Sequence, residues 1–88
     1  MRYGLTKLFH RMAVESAKKH GIQSSVIFGR GRRSRAVLAR QEAFWRAYNE
    51  TGASLTEIGR FWDRDHTTIL HGIRRHEERM GVGKQGAA

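Results

Sequence analysis

The five residues Arg64-Asp65-His66-Thr67-Thr68 gather a guanidinium, a carboxylate, an imidazole and two hydroxyls into one short stretch. Such a set can hold a metal, move protons, or hydrogen-bond to the edges of nucleic-acid bases. Metal binding fits poorly. His66, His71 and His76 recur every five residues, so on a helix successive rings stand about 140° apart and do not converge. Cysteine is absent, which removes thiolate zinc sites. Catalysis fits poorly too, because Asp, His and Thr share one helical turn with no third group to orient them; no enzyme is expected. An aspartate at a helix start has two remaining uses. It caps free N–H groups and suits the positive end of the helix dipole, or it accepts a hydrogen bond from a cytosine amino group in the major groove. Thr67 can present its methyl to a thymine methyl, and Thr68 its hydroxyl to a phosphate.

The composition favours a polyanionic partner. Seventeen Lys and Arg against eight Asp and Glu give a net charge of +9, with an isoelectric point near 11.3. A domain this basic carries the electrostatic footprint of a nucleic-acid binder. Four arginines sit in Gly29–Arg35, "GRGRRSR", and the planar guanidinium suits phosphate and base edges better than a lysine does. No apolar run approaches the roughly 18 residues of a membrane span, and "MRYGLTKLFHRM" has no apolar signal-peptide core. A cytoplasmic, nucleoid-associated protein with no membrane partner is the expectation. Eighty-eight residues suit a single domain, expected over 1–80, with a flexible tail over 81–88.

The elements that must position these residues read as helices, since no proline and no sustained alternating pattern occurs. Leu5 to His20 has helical apolar spacing and stops at Gly21. Ser24 or Ser25 caps a short turn carrying Val26, Ile27 and Phe28. Gly29 to Arg33 is an exposed basic loop, and the basic segment as a whole runs over 29–35. Ser34 reads as the N-cap of a helix from Arg35 to about Thr51, with Val37, Leu38, Phe44, Trp45 and Tyr48 on its apolar side. That spacing favours core packing over an RNA-stacking platform. Gly52 ends this helix. Ser54-Leu55-Thr56-Glu57 has the form of a capping box, opening a short helix through Ile58 to about Phe61. Trp62-Asp63-Arg64 makes a turn, with Trp62 either core or a partner contact. The last helix runs from Asp65 or His66 to Met80, with His71 and His76 packed or partly exposed. Ile58, Ile69, Leu70 and Ile73 pack the final pair against Phe44 or Tyr48. The fold class is all-α, a small helical domain whose residues 54–80 form a helix-turn-helix, the second helix entering the major groove.

"SLTEIGRFWDRDHTTILHGIRRHEE" closely resembles the DNA-binding C-terminal domain, domain IV, of the bacterial replication initiator DnaA. The signature is Ile58-Gly59 followed by Asp65-His66-Thr67-Thr68-Ile69. "GRGRRSRAVLARQEAF", with Arg40-Gln41, resembles that family's basic loop and following helix, and "GIQSSVIFG" the segment before it. The resemblance spans about residues 12–79 and implies a fold of the DnaA C-terminal or Trp-repressor type. It implies that Asp65, His66 and Thr67 read bases, and that Arg33 or Arg32 enters the minor groove. Anchoring on the loop selects Arg33, and anchoring on Arg40-Gln41 selects Arg32. It makes Arg35, Arg40, Gln41, Arg64, Thr68 and the backbone N–H groups near Leu55 and Thr56 phosphate contacts. Three departures stand out. The chain is one residue shorter between Ile58 and Asp65 than the usual pattern, and one shorter between the loop arginines and Arg40. It also has nothing like the GxxxxGK[ST] phosphate loop, so no nucleotide and no cofactor are expected. It looks like a free-standing copy of the domain that binds double-stranded DNA at DnaA-box-like sites. Such a copy would regulate replication initiation or transcription, competing with or binding the initiator. The other reading is a protein-interaction adaptor that binds the initiator or another partner without reading DNA sequence.

Overall fold

A computed structural model describes residues 3–81, in which the chain forms five helices and, among those residues, no strand. They are α1 (Tyr3–Lys19), the single turn α2 (Ser24–Ile27), α3 (Ser34–Thr51), α4 (Leu55–Trp62) and α5 (His66–Met80). The tail expected over 81–88 lies outside the described residues from 82 onward; Gly81 itself caps α5 in the left-handed conformation, φ 72°. Gly21 and Gly52 end α1 and α3 in the same conformation, which glycine adopts without a Cβ clash.

Two of the expected caps differ. Neither Ser24 nor Ser25 caps α2; Gln23 does, without a side-chain bond. Ser34 is already helical, and the N-cap of α3 is Arg33, whose extended backbone (φ −61°, ψ 141°) offers its carbonyl to the Val37 N–H at 2.9 Å. The capping box forms as the sequence indicates. Ser54 Oγ accepts from the Glu57 N–H at 3.1 Å, and Glu57 Oε1 accepts from the Ser54 N–H at 3.0 Å. The helix it opens runs one residue further than expected, through Trp62.

α3 lies at the centre, packed against both α1 and α5. Its buried face is Ala36, Ala39, Ala43, Phe44 and Ala47, whereas Val37, Leu38 and Trp45 are half-buried and Tyr48 is 44% exposed. Tyr48 therefore does not join the core. The alanine face permits a close helix–helix approach, close enough for Ser16 Oγ to donate to the Ala39 carbonyl at 2.7 Å. The large apolar volume comes from aromatics. Trp62, only 3% exposed, lies within 4.8–6.3 Å, centroid to centroid, of Phe9, Phe28, Phe44 and Phe61. Core burial of Trp62 fixes the last turn of α4, and hence the point where the chain turns toward α5.

A polar cluster fastens the end of α1 to α3, with His76 of α5 nearby. Burial opposes ionisation of Glu42, but hydrogen bonds from Lys19 (2.9 Å) and His20 (3.0 Å) outweigh it and hold the carboxyl below its usual range. His76, buried against Trp45, has its imidazole pushed down chiefly by burial, with Glu42 pulling only partly the other way. The folded protein thus binds fewer protons than the unfolded chain below the ordinary values of 6.5 and 4.5, and stability falls as pH drops through them. Melting temperature measured from pH 7 to 5 should decline in the wild type and flatten in His76→Leu. An equal decline in both would assign the trend to other groups.

Candidate nucleic-acid interface

The N-terminus of α5 is built around Asp65. Its backbone is extended (φ −67°, ψ 150°), and its Oδ2 accepts from the Thr67 N–H at 3.1 Å. The Thr67 hydroxyl donates to the same oxygen. These two Thr67 bonds, helped by His66, outweigh desolvation and hold the exposed Asp65 carboxyl below its usual range, so the cap is an anion at neutral pH. Oδ1 lies 3.5 Å from Nδ1 of the exposed His66 ring, and the His66 N–H adds to the stabilisation of the carboxylate. The cap bonds from Thr67 go to Oδ2, and the carboxylate as a whole stays exposed. With its hydroxyl engaged, Thr67 has its methyl left for an apolar contact. Asp65, His66, Thr67 and Thr68 are all exposed.

The turn that aims this helix is tight. The Arg64 N–H donates to the Gly59 carbonyl at 2.8 Å, and a Cβ built on Gly59 would lie 2.4 Å from the Arg64 carbonyl oxygen. Asp63 closes α4 in the left-handed conformation, φ 56°, ψ 51°. The turn thus closes with Asp63 in a conformation usually left to glycine.

Three arginines hold the basic loop in place. Arg40 is 7% exposed. Its Nε donates to the Ile27 carbonyl at 3.0 Å, Nη1 to Gly31 at 2.6 Å and Nη2 to Val26 at 3.0 Å. Expected as a phosphate contact, Arg40 is thus first a bolt beneath the loop. Arg64 donates to the carbonyls of Trp62 (3.2 Å) and Gly29 (2.9 Å). Arg30 reaches the Asp63 carbonyl at 3.1 Å and its carboxylate at 2.9 Å. Burial lowers the pKa of both Arg40 and Arg64, helped by Arg64 acting on Arg40 and Arg30 on Arg64, yet a guanidinium stays charged. Arg32, Arg33 and Arg35 are left exposed. Arg32 lines the groove of about 590 Å³ on the α5 side of α3. Arg33 and Arg35 line the opposite side with Ile22 and Val26.

Between α3 and α5 runs a second groove of about 310 Å³ that gathers Arg40, Gln41, Arg64 and Thr68. Those four were expected at phosphates, and no acidic side chain lines the groove. His71 and Arg75 complete it, a pair that the motif reading did not single out. Their signal was present, since Thr68, His71 and Arg75 repeat at i, i+3 and i+7, one face of a helix. Gln41 Oε1 is buried without a hydrogen-bond partner among the described residues. A neighbouring cleft gathers Thr56, Arg60, Arg64, Asp65 and His66. The capping box occupies the Ser54 and Glu57 N–H groups and leaves those of Leu55 and Thr56 without an intrahelical acceptor. Among the described residues no three His, Cys, Asp or Glu side chains gather as a metal site, and no helix is long and apolar enough to cross a membrane.

The chain matches the model of the bacterial dnaA protein helix-turn-helix family over residues 15–75. It is 47% identical over 60 residues to the chromosomal replication initiator protein DnaA of Thermomicrobium roseum, covering 67% of this chain and 13% of that protein. Against the initiator of Cereibacter sphaeroides the identity is 43% over 70 residues, covering 78% and 15%. Against that of Caulobacter vibrioides it is 45% over 64 residues, covering 70% and 13%. The chain therefore spans 13–15% of the length of these curated relatives. No solved structure matches it.

Proposed function

Because this chain belongs to the bacterial DnaA helix-turn-helix family, a family of DNA-binding domains, we propose that it reads DnaA-box-like sites in double-stranded DNA. α5 lies in the major groove, with Asp65, His66 and Thr67 at base edges. The basic loop enters the adjacent minor groove. Arg33, which lines the surface beside Ile22 and Val26, takes the minor groove, and Arg32, which lines the groove shared by α3 and α5, takes the phosphates between. Gln41, Arg64, Thr68, His71 and Arg75 seat the backbone along the acid-free groove, joined by Arg35 and the N–H groups of Leu55 and Thr56. The observation that carries the reading is an exposed carboxylate at the tip of α5, bonded by Thr67 through Oδ2, beside a groove that no acidic side chain lines.

Site occupation is the chemistry this chain's own residues supply. It competes with an initiator for the same boxes, and so regulates replication initiation or transcription from the nucleoid. A titration against a box duplex and a scrambled duplex, repeated across salt concentrations, tests the reading. The box should be preferred by about 10³-fold or more, with affinity falling steeply as salt rises. Equal affinity for the two duplexes would overturn sequence reading and leave general coating of DNA.

A further inference from the structure

Two arginines cross between the basic loop and the helix-turn-helix turn. Arg30 donates to the carbonyl and the carboxylate of Asp63, at 3.1 and 2.9 Å. Arg64 runs the other way, to the Gly29 carbonyl at 2.9 Å. Asp63 is an odd residue for this place. It is an acid on a basic face, where it repels phosphate, and among the described residues it is the only non-glycine with positive φ. Glycine would adopt that conformation without strain. Both penalties are accounted for if the carboxylate is there to hold Arg30.

We infer that Arg30 and Asp63 are positioning residues which, with Arg64, make the basic loop and the recognition helix one reading unit. The minor-groove arginine is then set relative to Asp65 before DNA arrives, which lowers the ordering cost of engaging two grooves at once. The inference rests on the DNA reading proposed above. Arg30 and Asp63 side chains are 67% and 94% exposed, so the pair adds little to folding stability; its effect is on geometry.

Asp63→Gly separates this role from simple electrostatics. Glycine fits φ 56°, so the variant should melt at or above the wild-type temperature. Removing an acid from a DNA-facing surface should leave scrambled-duplex affinity equal or higher. Positioning predicts the opposite sign for discrimination, with the box-to-scrambled ratio falling about fivefold, the scale of an exposed charge pair. Arg30→Ala, which also removes the bond to the Asp63 carbonyl, should lower the ratio at least as much, and the double variant no further than Arg30→Ala alone, since the carboxylate bond is common to both. An unchanged ratio, or losses that add in the double variant, would overturn the inference. Without DNA, backbone NMR order parameters over residues 30–33 should fall in both single variants; unchanged order would also overturn it. That readout holds even if the wild type shows no box preference, an outcome that counts against the box reading rather than the tether.

Discussion

Gly59→Ala should destabilise the domain by about 3 kcal/mol, lowering the melting temperature by roughly 10–20 °C for a chain of this size. The added Cβ would sit 2.4 Å from the Arg64 carbonyl oxygen. That neighbour is backbone, so no rotamer change relieves the clash. Moving Arg64 away also breaks its N–H bond to the Gly59 carbonyl, and Asp65 follows immediately. Protein that remains folded should bind the box and scrambled duplexes with more nearly equal affinity, because the recognition helix is re-aimed. Thermal melting and the duplex titration check both parts, and a wild-type melt with intact discrimination would mean that the turn tolerates the displacement.

Arg40→Ala should cost about 2–4 kcal/mol in the absence of any DNA. Three carbonyls, of Val26, Ile27 and Gly31, lose charge-assisted donors at 2.6–3.0 Å, and each such bond contributes about 1.5–3 kcal/mol, part of it recovered by water. A phosphate contact behaves differently. Its removal leaves the melt alone and lowers the salt dependence of binding by about one unit. Chemical denaturation without DNA separates the two roles, and an unchanged denaturation midpoint would return Arg40 to the phosphate-binding set.

What the sequence disclosed and what it withheld divide along a physical line. Local rules carried through wherever the cause was local. Gly21, Gly52 and Gly81 stop helices, and Ser54 with Glu57 forms the capping box. Asp65 opens α5, because its carboxylate needs only the N–H two residues on. Readings failed where distant packing decides. Tyr48 lies on the apolar side of α3 by spacing, yet the core takes the alanine stripe, because α1 and α5 both press close to that helix. Ser34 has the chemistry of a cap, but the loop's path makes Arg33 the extended residue. The arginines show the same limit most clearly. Charge alone cannot tell Arg32, left in solvent, from Arg40, bonded to three carbonyls. Nor could spacing show that Gly59 is required by a backbone contact with Arg64. At the candidate interface, the order of polar residues at the start of α5 was legible, whereas the pairing of Arg30 and Arg64 with the turn needed the fold.

Base identity at Asp65 is the central claim, and one measurement addresses it most directly. Wild type and Asp65→Ala are titrated against a panel of duplexes in which each position of the box is substituted in turn. The account predicts that the variant loses about tenfold to a hundredfold on the intact box. It also predicts indifference at one C·G pair alone, with wild-type preferences kept at every other position. A loss that is uniform across the panel would contradict it, and would reduce Asp65 to the cap of α5.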